Sequence, residues 1–185
     1  MSTTQVVVGV VLWLAVSIVV GASGLPTHLR QPMPQVLIFT LTLAVLVSVV
    51  TIARFRTWVM TVDVRAHVLI HLSRLLAGGY FLVLYQRGEL PWVFAVPGGI
   101  GDMIVAVLAV IVLAAPRRSL LFAWNVIGFV DILMVVAAAV RSARADPPSM
   151  AALLQLPLVV LPTFLVPIII ATHVIIFVRL ARRSP

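Results

Sequence analysis

The chain has no cysteine and no lysine, and only 5 of its 185 residues are acidic. Without cysteine there are no disulfides, thiolate metal sites, iron–sulfur clusters or thiol redox chemistry. Charged residues make up 10% of the chain, against about 25% in an ordinary soluble domain. That is too little to solvate an aqueous domain. What the chain has instead is apolar: 63% of its residues are hydrophobic and its mean hydropathy is +1.22. Six apolar runs near the length of about 20 residues needed to cross a bilayer take up most of it, at residues 5–22, 34–53, 62–85, 92–115, 119–140 and 157–179. The expected class is all-α, a single polytopic domain over residues 1–185 with six transmembrane helices and short loops.

A net charge of +8 would suggest a nucleic-acid partner in a soluble chain. Here the 13 basic residues are all Arg, and most lie between or at the ends of apolar runs, where they orient a membrane protein. The bilayer, not nucleic acid, is the expected partner. The N-terminal side of the spans carries eight: Arg54, Arg56, Arg65, Arg117, Arg118, Arg179, Arg182 and Arg183. The other side carries four: Arg30, Arg87, Arg141 and Arg144. This excess puts both termini in the cytoplasm. Met1 to Gln5 lacks the positive start of a signal peptide, so the first run reads as an uncleaved span.

Breaks between spans carry turn chemistry at Gly24, Pro26, Pro32 and Pro34, then at Arg54 to Thr57, Arg87 to Pro91, Pro116 to Ser119 and Arg141 to Pro148. No internal repeat is evident, although two sets of three helices would be inverted relative to each other, as in many transporters. In the fourth run, Pro97-Gly98-Gly99-Ile100-Gly101-Asp102 predicts a helix broken at Pro97 to Gly99, with the freed backbone lining a site. Its spacing does not match a phosphate-binding fingerprint. In the sixth, Pro157, Pro162 and Pro167 predict a bent helix short of some backbone hydrogen bonds.

Ionisable groups at membrane depth are costly and functional by default. Arg74 and Asp131 fall near the centres of their spans. Asp102 lies about 5 Å to one side. His71 lies about 4–5 Å, and Asn125 and His173 about 8 Å, to the cytoplasmic side. At about 100° per residue and with Asp63 as zero, His67, His71 and Arg74 fall within an arc of about 80°, while Asn125 is about 120° from Asp131 and serves a different neighbour. A buried Arg requires an anion, and Asp131 is the first choice for Arg74, Asp102 the second.

From His71 onward the residues that stand out are Arg74 and Gly78, Gly88-Glu89-Leu90-Pro91, Phe94-Ala95 with Pro97, Gly101-Asp102, and Trp124-Asn125 with Gly128 and Asp131. Leu156-Pro157, Pro162-Thr163-Phe164, Pro167 and His173 complete the set. Over a little more than half its length the chain thereby resembles an uncharacterised bacterial family of six-span integral membrane proteins. The resemblance implies a bacterial cytoplasmic membrane and a shared core of Arg74, Asp102, Asn125, Asp131 and His173; it brings no activity. His67 and His71 are outside that pattern, and Gly98 stands where the family more often has Ala.

The leading expectation is a site at Arg74, Asp102, Asn125, Asp131 and His173 for a proton, an ion or a small polar ligand, as in a small carrier. One alternative is a b-type haem electron carrier with His71 and His173 as axial ligands. Another is an intramembrane enzyme acting on a lipid or terpenoid with Asp102 and Asp131 as acid and base. A subunit of a homo-oligomer or of a larger membrane complex is a further option. Asp63, His67 and His71 recur at i, i+4 and i+8, but Asp63 reads more simply as a helix cap beside Arg65, and no metal site is expected. No catalytic nucleophile is apparent.

Overall fold

The structure, a computed structural model, describes residues 1–115 and 117–182. Pro116 and Arg183, used above in a turn and in the charge count, lie outside the described residues. Among the described residues eight α-helices follow one another: α1 (Thr3–Ala22), α2 (Met33–Thr51), α3 (Ala53–Thr61), α4 (Val64–Leu69), α5 (Ser73–Gln86), α6 (Trp92–Ala114), α7 (Arg118–Ala145) and α8 (Val166–Arg182). There is no strand among the described residues.

Six helical stretches are long and apolar enough to span a membrane: Thr3–Ala22, Met33–Thr51, Val64–Gln86, Trp92–Ala114, Arg118–Ala145 and Leu161–Arg182. Large apolar side chains are exposed along them, among them Phe39, Val50 and Leu76. Helices that expose large apolar side chains in this way are stable against lipid and not against water. The chain is therefore an all-α, multi-pass membrane protein with six membrane-capable helices.

Two compact units divide the chain: Met1–Val62 with Ala151–Ala171, and Asp63–Met150 with the residues from Thr172 on. In the first, the proline pattern of the sixth run has a direct consequence. A π-helical turn at Leu161–Leu165 precedes α8. Pro167 has no N–H to give the carbonyl of Thr163 one turn earlier, and the Trp13 indole donates to that carbonyl instead, at 2.9 Å. Trp13 also meets Phe164 edge to face, with ring centroids 5.3 Å apart, and the Ser17 and Thr163 hydroxyls bond each other. Residues 54–57, expected as a turn, instead form part of the short helix α3. Extended Ile52 separates it from α2, and the Phe55 and Trp58 rings stack across one of its faces, 6.3 Å apart.

The second unit holds the other helices. Asp63 caps α4 by accepting from the Arg65 N–H at 2.9 Å, as its position suggested. A tight turn at Ile70–Leu72 joins α4 to α5 within the third span. The fifth span runs to Ala145, five residues beyond the expected 140, and ends where Pro147 disfavours helix at Asp146. A further expectation is overturned: α6 is unbroken from Trp92 to Ala114, with Pro97 inside it. The Pro97 ring lies on the exposed face, and the glycines that suggested a break turn inward, where they bring helices together.

Candidate functional site

The site begins with a glycine contact between α5 and α6, which run antiparallel. A Cβ on Gly78 would collide with the carbonyl of Gly99, and one on Gly99 would come within 2.7 Å of the carbonyl of Gly78. Only glycine on both sides permits this approach, the usual device for close helix packing in membranes. Arg74 lies one turn before Gly78, and Asp102 just under one turn after Gly99. The contact therefore sets these two at one level. Arg74 Nε donates to Asp102 Oδ1 at 2.6 Å. The Phe81–Phe94 ring pair, at 5.0 Å, continues the same register towards the loop.

Helix α7 adds the second carboxylate. Arg74 Nη2 donates to Asp131 Oδ2, and Nη1 donates to the carbonyl of Gly128 at 3.1 Å. Gly101 makes the room, since a Cβ there would strike the Asp131 carboxylate. Arg74 is thus shared by both aspartates, where Asp131 had been its first-choice partner. Each guanidinium nitrogen makes one hydrogen bond, while the ionised cluster has two negative charges against one positive. Exposure separates the two carboxylates: the Asp102 side chain is 6% exposed and that of Asp131 20%, against 1% for Arg74.

A second group of polar residues adjoins the first through Gly128. Asn125 Nδ2 donates to the carbonyl of His173 at 3.1 Å, and Asn125 Oδ1 accepts from His173 Nδ1 at 2.8 Å. Asn125 therefore does serve a neighbour other than Asp131, and in the neutral His173 ring the proton sits on Nδ1. His71 Nε2 pairs with the Thr172 hydroxyl at 3.1 Å. Both imidazoles are completely buried and their centroids are 4.3 Å apart. The Trp124 ring lies 4.9 Å from His71 and 5.6 Å from His173, anchored by its own N–H on the carbonyl of Val105 at 3.0 Å. His67 is buried as well.

This geometry does not suit a haem between His71 and His173. The rings are closer than the roughly 4.5–7 Å usual for paired aromatic groups, so no porphyrin plane fits between them, and the His71 Nε2 atom is engaged by Thr172. Among the described residues no group of three His, Asp or Glu is gathered in the manner of a metal site.

Arg74, Asp102 and Asp131 form one cluster and His71, Asn125 and His173 an adjoining one, all within the unit that begins at Asp63. Sequence reasoning singled out Gly78, Gly101 and Gly128 but missed the packing role of the glycines, and it missed Thr172. The signal for the first was present: Arg74-x3-Gly78 and Gly99-x2-Asp102 place a glycine one turn from each charge. For Thr172 there was none.

Compared with known families, the chain matches over residues 31–181 the family described as Domain of unknown function (DUF8737), and it belongs to that family. The matched stretch contains every residue of the site. No curated protein and no solved structure matches the chain.

Proposed function

We propose that this protein is a small carrier of the bacterial cytoplasmic membrane, with both termini in the cytoplasm, whose Arg74–Asp102–Asp131 cluster binds and releases one proton. The observation that carries the reading is the sharing of one guanidinium by two carboxylates within apolar spans. An excess charge in a low-dielectric interior is strongly unfavourable, so the cluster calls for one further positive charge. Of the ligands expected from the sequence (a proton, an ion or a small polar molecule), a proton suits the tight contacts best. Asp131, the less buried carboxylate, is its point of exchange, and Asp102 holds the guanidinium in place. The excess of Arg on one side of the spans supports the orientation.

Purified protein in vesicles containing a pH-sensitive dye, driven by a potassium diffusion potential, tests the proposal. Proton flux above that of protein-free vesicles is expected, falling at least tenfold in Asp131→Asn and measurably in Asp102→Asn. Radioactive sodium uptake in parallel separates a proton from a small cation. Flux equal to that of empty vesicles, or unchanged by either substitution, contradicts the reading.

A further inference from the structure

Beside the charged cluster, two ring nitrogens are left without a use. His71 Nδ1 and His173 Nε2 are buried and have no hydrogen-bond partner. Leaving a buried polar atom unsatisfied is unfavourable, so two such atoms in touching rings point to something they hold in common. Neither ring can turn its bare nitrogen elsewhere without giving up a bond, because Thr172 holds the other nitrogen of His71 and Asn125 that of His173. Gly128 keeps the edge of His173 clear: a Cβ there would come within 2.7 Å of His173 Cε1 and 3.1 Å of Nε2. The carbonyl of this same glycine accepts from Arg74, so the imidazole pair and the charged cluster meet at one residue.

We infer that His71 and His173 form a second proton-holding station, in which one excess proton is shared by His71 Nδ1 and His173 Nε2 and exchanges with the proton of the carboxylate cluster. This rests on the proton-binding reading above. The step makes one N–H bond as a carboxyl O–H bond breaks, and its reverse restores both; no other bond changes. Charge balance allows it. The charged groups that meet the pair at Gly128 are Arg74 on the third span, Asp102 on α6 and Asp131 on α7, with the titratable His67 one turn before His71; Arg179 is six residues beyond His173 on α8, about 9 Å along the helix, and is not part of this sum. With both carboxylates ionised, Arg74, Asp102 and Asp131 sum to one negative charge, which a proton on the imidazoles cancels. With the proton on a carboxylate, the imidazoles are neutral and the sum is again zero. Each state is therefore tolerable in a low-dielectric interior. The two rings differ in their outer contacts. The Asn125 amide cannot pass a proton on, whereas the Thr172 hydroxyl can, so His71 is the ring with a proton relay beside it, and Asp131 stays the point of exchange of the carboxylate cluster.

Solid-state nitrogen NMR of the wild-type protein in bilayers, labelled at histidine and followed from about pH 5 to about pH 8, reads the station without any substitution. The expected result is that His71 and His173 change together, gaining one proton between them. A second arm measures flux: His71→Gln is expected to lower it at least tenfold while the protonated carboxyl remains visible by infrared spectroscopy. A His173 ring that keeps its neutral Nδ1–H form throughout, or wild-type flux in His71→Gln, overturns the station. Silent histidines with flux intact remove the station alone, and a shared proton without flux removes the carrier reading alone.

Discussion

The two units of the chain treat polar groups in opposite ways. The unit of Met1–Val62 and Ala151–Ala171 has no acidic residue, and its three arginines, Arg30, Arg54 and Arg56, are all exposed. Its inner polar contacts are neutral and local in purpose: Trp13 caps the carbonyl that Pro167 leaves open, and Ser17 bonds Thr163. Among the described residues, Gln35 Oε1, in the first turn of α2, is the one side-chain polar atom buried without a partner there. In the other unit, charge is buried beyond what pairing requires, with two carboxylates on one guanidinium and two imidazoles each with a bare nitrogen. Neutral polar groups that complete a backbone hydrogen bond explain themselves by structure. A surplus of buried charge does not, and it is the reason the function is proposed there.

The sharpest way to break this contrast is to remove Arg74. Arg74→Met leaves Asp102 and Asp131 facing each other uncompensated, and breaking a buried pair in this way costs about 3–5 kcal/mol. A large fall in thermal unfolding midpoint in detergent, or failure to accumulate folded protein, is expected. Adding Asp102→Asn and Asp131→Asn to the same chain should recover most of the stability with no proton flux. Stability recovered together with flux would mean that the charges serve the fold alone.

A smaller effect is expected from the glycine contact. Gly78→Ala drives a Cβ into the carbonyl of Gly99, and overpacking of this kind costs about 1–3 kcal/mol. Gly79→Ala meets nothing within 4 Å and should change stability by less than about 0.5 kcal/mol. Equal midpoints for the two variants would remove the glycine contact as the feature that sets Arg74 level with Asp102.

The smallest effect belongs to the uncharged unit. Thr163→Val removes the hydroxyl bonded to Ser17, a loss of about 0.6 kcal/mol for an interhelical hydrogen bond in a membrane. Its midpoint should fall slightly and its proton flux should match the wild type. Loss of flux in Thr163→Val would show that the neutral contacts take part in transport, and the contrast between the units would fail.

The spans were legible because hydropathy alone decides which segments enter a bilayer, and most boundaries fall within a few residues of those expected. Depth was legible too, since 1.5 Å per residue carries Arg74, Asp102 and Asp131 to a similar level. What helix faces one another was not. The glycines after Pro97 read as a break, and only Gly78 on the neighbouring helix shows them to be a close contact. Similar depth for His71 and His173 allowed a haem between them, whereas the way the helices pack brings the rings into direct contact. Arg54 and Arg56 suggested a turn because the segment is too polar to span, but Phe55 and Trp58 give it an apolar face, and it folds as α3.

The central claim is that the Arg74–Asp102–Asp131 cluster holds one exchangeable proton, and infrared spectroscopy of the protein in bilayers tests it most directly. The account predicts a single protonated-carboxyl band in the wild type that shifts on transfer to heavy water and is lost in Asp131→Asn. A wild-type spectrum with no protonated carboxyl at any pH at which the protein is folded would contradict it.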